Sequence, residues 1–145
     1  PFTIYKFRTM HVLEDGAQVV QVTDGDPRVT RMGKILRRTS LDELPQLVNV
    51  LRGEMSLVGP RPHAVVHDQY YSAVIPAYEY RFSAKPGITG WAQINGARGE
   101  TPDVKDMERR VELDLWYIEH WTLFLDLQIM LRTLAREIFM STQAR

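Results

Sequence analysis

The sequence predicts an α+β domain that is mainly helical, with only small strand elements. Three observations predict it. Two long stretches in the last third carry apolar residues at helical spacing. Strand-like alternation is short and confined to the opening residues. Gly and Pro punctuate the middle of the chain too often for a large sheet. At 145 residues the chain suffices for one domain with its own core, and residues 1–145 are read as one.

Taken in order, Phe2, Ile4 and Phe7 suggest a short first strand. "EDGAQ" and "TDGDPR" read as turns. A basic helix is expected over "RVTRMGKILRR", weakened by Gly33. The next helix is expected from about Ser40 to Leu51, with Leu44, Leu47, Val48 and Leu51 on one face. After the turn "RGEMSLVGPRP", residues 63–80 look helical until Pro76 interrupts them. "SAKPGITGWAQINGARGE" reads as an ordered loop anchored by Ile88, Trp91 and Ile94. Val104, Met107, Val111, Leu115 and Ile118 mark one amphipathic helix. Thr122 can cap a second one, carrying Leu127, Met130, Leu131, Leu134 and Ile138. Trp116, Tyr117, Trp121 and Phe124 cluster at their junction, either as core or as a surface for a bilayer headgroup region, where Arg132 and Arg136 would meet lipid phosphates. Such a surface predicts weak, salt-sensitive membrane contact.

Charge narrows the function. Eighteen basic and eighteen acidic residues cancel, so no overall field draws in nucleic acid. Arg28, Arg31, Lys34, Arg37 and Arg38 nevertheless form a run without an acid, and no aromatic residue stands between them as a base-stacking reader would need. The absence of cysteine excludes disulfide and thiolate chemistry. No apolar run approaches the ~18 residues of a spanning helix. Beginning at Pro1 without an initiator methionine, the sequence is expected to be a fragment or a processed product.

"RRTSLDELPQL" concentrates the chemistry. Ser40 to Glu43 fits the capping box S-x-x-E, with Ser40 as cap and Glu43 reaching back. Asp42 would then lie among free backbone N–H groups that favour its ionised form. A carboxylate, a helix start and nearby guanidinium groups suit phosphate chemistry. In "VGPRP", Arg61 between Pro60 and Pro62 is either a rigid exposed turn or an aimed phosphate ligand. His63 and His67 lack the glutamate of a zincin motif and read as ordinary histidines. Neither a P-loop nor a dinucleotide fingerprint is present.

"KFRTM", "DPRVTRMGKILRRTSLDELPQLVNVLRGEMSLVGPRP", "KPGITGWAQINGARGE" and "VELDLWYIEHWTLFLDLQIMLRTL" together resemble the bacterial sugar transferase family, over nearly the whole chain and in order. These are monotopic phosphoglycosyl transferases that act at the cytoplasmic face of the bacterial inner membrane. The resemblance implies a catalytic domain whose hydrophobic re-entrant helix would precede Pro1. It implies an Asp-Glu dyad at Asp42 and Glu43, with Asp42 attacking the β-phosphate of a UDP-sugar. UMP would be released with the phosphosugar left on the aspartate, and the phosphosugar would then pass to undecaprenyl phosphate. Mg²⁺ is expected at Asp42 and Glu43, to offset the charge of nucleophile and diphosphate. Arg61, Arg37 and Arg98 match substrate-binding arginines, and Asp114 matches an acidic position of undefined role that is grouped with them. UDP-glucose is the first choice and UDP-galactose the second. A homo-oligomer is compatible. The rival readings are a catalytically inactive, partner-binding domain of the same fold, and an anion- or nucleic-acid-binding module.

Overall fold

In the computed structural model, which describes residues 1–11, 25–99, 101 and 103–142 with side chains to residue 137, the opening segment forms no strand. Instead it is tied to one buried amide. Asn49 accepts from Tyr5 N at 3.1 Å and donates to the Thr3 carbonyl at 2.8 Å. The expected first strand reduces to a single antiparallel bridge between Met10 and Val29. "EDGAQ" and Asp24 lie outside the described residues. From Gly25 onward the second expected turn is present, with Asp26 accepting from Arg28 N at 2.9 Å.

Helix α1 spans Arg31–Arg38, capped by Thr30, whose hydroxyl accepts from Gly33 N at 2.8 Å. Gly33 is required here. A Cβ on it would stand 2.0 Å from the Thr9 carbonyl oxygen, so the helix could not lie against the opening segment.

The expected continuous helix from Ser40 to Leu51 is broken. A 3-10 helix over Leu41–Glu43 precedes α2, which begins only at Gln46. Pro45 has no N–H to donate to the Leu41 carbonyl, which accepts from Leu44 N at 3.2 Å instead. The leucine face is also inverted. Gln46 and Asn49 point inward, while Leu44, Leu47, Val48 and Leu51 are exposed, Leu51 by 87%.

Strands β1 (Ser56–Val58) and β2 (Gly87–Thr89) form a two-stranded parallel sheet with Ser56 opposite Gly87 and Val58 opposite Thr89. The crossover carries α3 (Val65–Val74) and a 3-10 helix over Tyr78–Ser83. α3 stops before Ile75, which is extended ahead of Pro76, as the proline predicts. The expected ordered loop contains β2 and the short α4 (Trp91–Ile94). Helices α5 (Val104–Glu119) and α6 (Leu123–Thr142) follow, with Thr122 accepting from Leu125 N at 3.0 Å as the expected cap.

Two apolar clusters hold these pieces together. Tyr71, Ile75, Tyr78, Met107 and Val111 join α3 and its crossover to α5. Val58, Tyr117, Leu125 and Ile129 join the sheet to α5 and α6, backed by Trp91 and Ile94. Of the aromatic cluster only Tyr117 is core, its hydroxyl donating to Asp126 at 2.7 Å. Trp116 stacks between Trp91 and His120, and Trp121 and Phe124 are exposed. Among the described residues no helix is long and apolar enough to cross a membrane.

Candidate active site

Asp42 and Glu43 are neighbours in sequence but live in different surroundings. The Asp42 carbonyl accepts from Phe7 N at 2.9 Å, which fixes the 3-10 helix on the opening segment. Its carboxylate is half-buried. Glu43 points inward and is captured by two cations. Arg61 Nη2 donates to Oε1 at 2.7 Å and Lys6 Nζ donates to the same oxygen at 2.9 Å. Arg61 Nη1 stands 3.5 Å from Oε2.

The capping box therefore does not form. Ser40 is left-handed, with φ of 54°, and makes no cap bond. Its hydroxyl donates to Glu137 Oε2 at 3.0 Å. Glu43 cannot reach back to Ser40 because its carboxylate is held by Arg61 and Lys6.

The dyad's two carboxyls are pushed apart. Burial raises Glu43, but the charge and hydrogen bond of Arg61, and then Lys6, outweigh it and bring the group down to about 2. Burial and then the Glu43 charge raise Asp42, with Lys6 and Arg37 opposing. This overturns the expectation that helix N–H groups would depress Asp42. Burial, with the repulsion of the neighbouring ionised Glu43 added to it, outweighs them.

Arg61 meets the dyad, with its fork directed at Glu43. Arg37 is exposed on α1, its charge reaching Asp42 and its Nη1 lying 3.8 Å from Met10 Sδ. Arg98 does not touch the dyad. It binds Glu137 and the Ser40 hydroxyl. Asp114 is the most remote from solvent, 1% exposed and paired with Arg81 Nε at 2.8 Å. Burial pushes its carboxyl up, against Arg81 and Arg110.

The sequence reading missed Lys6, Arg81, Arg110 and Glu137, and it passed His63 over. Their hydrogen-bond partners lie 11 to 97 residues away, and no local spacing records them. The signal for Lys6 was its place in "KFRTM".

Two cavities flank the Glu43–Arg61 pair. A groove of about 250 Å³ has walls of Leu44, Leu47, Leu57, Ile94, Met130 and Leu134, with Ser40, Glu43, Arg98, Arg136 and Glu137 as its polar part. A second cavity of about 230 Å³ is lined by Arg61, His63, Asp68 and Arg81 beside Phe2 and Phe82. Asp42 lines neither, and the charges of Lys6 and Arg37 reach it. Among the described residues no cluster of three His, Asp or Glu side chains could hold a metal ion alone. Arg61 and Lys6 engage the Glu43 oxygens.

The chain belongs to the bacterial sugar transferase family, whose model matches residues 1–140. It is 60% identical over 133 residues to the UDP-glucose:undecaprenyl-phosphate glucose-1-phosphate transferase of Caulobacter vibrioides, covering 92% of this chain and 50% of that protein. It is 56% identical over 133 residues to the enzyme of the same name from Escherichia coli K12, covering 92% of this chain and 29% of the relative. Against the Xanthomonas campestris enzyme of that name identity is 51% over 142 residues, with 97% and 29% covered. The chain thus spans half or less of the length of these relatives.

Proposed function

We propose that this domain transfers a hexose 1-phosphate, glucose 1-phosphate first, from a UDP-sugar to undecaprenyl phosphate, and so initiates assembly of an exopolysaccharide or related glycan. The observation that carries this reading is the division of the dyad: Glu43 is neutralised by Arg61 and Lys6, and Asp42 is left as the reactive carboxylate. A raised carboxyl is a more basic and better nucleophile once ionised.

In the first half-reaction an Asp42 carboxylate oxygen attacks the β-phosphorus of the donor. The bond from that phosphorus to the bridging oxygen breaks, and UMP leaves with the electron pair. In the second, a phosphate oxygen of undecaprenyl phosphate attacks the same phosphorus, breaks the aspartyl–phosphorus bond and regenerates the carboxylate. Lys6 and Arg37 flank the approach and offset the repulsion between anions. Asp42 would hold a Mg²⁺ together with the substrate, and the ion would supply further charge neutralisation there; one protein carboxylate plus substrate phosphates is an ordinary set for this ion. For Arg61 to grip a phosphate as well, the fork must exchange Glu43 for the substrate.

The apolar groove beside Glu43 suits the isoprenoid chain of the acceptor, with Arg98 and Arg136 in its lining to meet the phosphate once they exchange their bonds to Glu137, Ser40 and the Gln93 carbonyl. The exposed leucines of α2 and α6 would rest on the cytoplasmic leaflet of the bacterial inner membrane, which brings the groove to the lipid.

The test is donor alone. Wild-type protein given UDP-glucose without lipid should release UMP and gain the mass of one hexose phosphate on the peptide containing Asp42. The Asp42→Ala variant should do neither. UMP that appears only when undecaprenyl phosphate is present would replace the covalent route with direct transfer. No UMP from UDP-glucose or UDP-galactose under either condition would leave an inactive, partner-binding domain.

A further inference from the structure

Two of the arginines that the proposed function places against substrate, Arg61 and Arg98, sit on loops, which do not by themselves hold a guanidinium to a fraction of an ångström. Beneath them lies a largely buried layer. Arg81, 4% exposed, donates from Nε to Asp114 and from Nη2 to the Arg61 carbonyl at 2.8 Å. Arg110, 5% exposed, donates from Nε to the Ala97 carbonyl at 3.0 Å and from Nη2 to the Gly99 carbonyl at 2.6 Å. Those two carbonyls flank Arg98.

His63 stands between the two buried guanidiniums. Tyr78 gives its single proton to Asp68 Oδ1 at 2.6 Å, and its oxygen lies 2.6 Å from His63 Nδ1. A guanidinium nitrogen faces each ring nitrogen: Arg81 Nη1 lies 3.1 Å from Nδ1 and Arg110 Nη1 lies 3.4 Å from Nε2. A charged ring could not take this place. Burial, and then Arg81, Arg110 and Arg61, bring His63 down to about 2 and keep it neutral.

We infer that Arg81 and Arg110, with His63 between them, are positioning residues that fix the backbone beneath Arg61 and Arg98 and so set where these two meet their phosphates. The inference rests on the substrate contacts assigned to Arg61 and Arg98 above. Filling space does not account for Arg110. An apolar side chain of similar volume would fill it without burying a charge, and Arg110 makes no salt bridge among the described residues. What the guanidinium supplies is a rigid fork that spans two carbonyls, one on each side of Arg98. An ammonium at the end of a flexible stem cannot do the same.

The experiment uses Arg110→Met, with Arg110→Lys as the second variant should the first not fold. Amide exchange by mass spectrometry is read over residues 95–99, where Ala97 N is bonded to the Ala92 carbonyl at 2.9 Å. Transfer to undecaprenyl phosphate in vesicles is read as KM and kcat separately. A folded variant should exchange this segment about tenfold faster, with helix α5 unchanged. Its KM for the lipid acceptor should rise about tenfold while kcat changes less than threefold, since Arg98 lines the groove assigned to the acceptor. Unchanged exchange over 95–99 in either folded variant overturns the inference, and so does loss of kcat with KM constant. A wild-type protein that releases no UMP sinks the reading of the site, while amide exchange still decides whether Arg110 holds the loop.

Discussion

At the scale of single residues, the structure turns two charges into tests. Arg61→Ala would leave the Glu43 carboxylate buried with Lys6 as its only cation, and an inadequately paired buried acid costs about 1–3 kcal/mol. The double variant Arg61→Ala/Glu43→Gln removes that charge and should recover part of the loss, read from urea unfolding as a coupling energy. Strict additivity would mean that Arg61 does not hold Glu43. His63 gives the pH test. Its folded value lies near 2 against the ordinary 6.5, so the unfolded chain binds the extra proton between these limits. Stability is full above pH 6.5 and falls as the pH drops, by up to ~1.4 kcal/mol per pH unit. Glu43 contributes its own loss only below 4.5, while Asp42 and Asp114, pushed up, act with the opposite sign, so the histidine is isolated by comparing variants over the window from 6.5 to 5. His63→Gln should flatten the loss of Tm between those two pH values. A variant that loses as much Tm as wild type there would place the proton elsewhere.

At the scale of elements, a small clash outweighs a helix preference. Gly33→Ala gains about 1 kcal/mol of helix propensity, yet its Cβ would meet the Thr9 carbonyl oxygen at 2.0 Å. Backbone shifts of that kind cost about 1–3 kcal/mol, occasionally more, so urea unfolding should show net destabilisation. A more stable variant would mean that α1 is not pinned against the opening segment. The same contrast explains what the sequence disclosed. α5, α6, the Thr122 cap and the break at Pro76 were legible because their signals are local and repeat over several turns. The 40–51 helix was misread because its S-x-x-E box is equally local, while its rivals are distant. Lys6 lies 37 residues from Glu43, Arg61 lies 18 away and Glu137 lies 97 from Ser40. The inverted face of α2 follows from the same cause. Asn49 satisfies the opening segment and Glu54, and that polar duty turns the leucines outward. In the site, Asp42, Glu43 and Arg61 were legible from motif resemblance. The supporting layer of Arg81, Arg110 and His63 was not, since a buried arginine leaves no pattern along the chain.

At the scale of the molecule, the exposed apolar residues are arranged rather than scattered. Phe124, Leu127, Leu131 and Leu134 run along one side of α6, Phe124 being 76% exposed, and Leu134 continues the row into the groove that Leu44 and, on α2, Leu47 also line. The sequence alone suggested weak, salt-sensitive adsorption through Arg132 and Arg136. The stripe changes the balance. Burying a leucine contributes about 1.5–3 kcal/mol at any ionic strength, whereas each basic residue near an anionic surface contributes about 1 kcal/mol and is screened. Several leucines against two arginines make the apolar contribution the larger one. Flotation with vesicles containing anionic lipid should therefore fall only partly between low salt and 0.5 M NaCl. Leu127→Glu/Leu131→Glu should abolish it at both salt concentrations and leave Tm within about 2 °C, because these side chains pack against nothing in the folded core. Arg132→Gln/Arg136→Gln should weaken flotation at low salt alone. The glutamate pair should also separate the two half-reactions. UMP release from soluble UDP-glucose needs only the dyad and persists, while transfer to undecaprenyl phosphate in vesicles falls by tenfold or more, about the effect of losing 1.4 kcal/mol of lipid contact. Flotation of wild type that disappears in salt would return the membrane contact to the arginines. Equal losses in both half-reactions would show that the stripe supports the fold of the site rather than its approach to the bilayer.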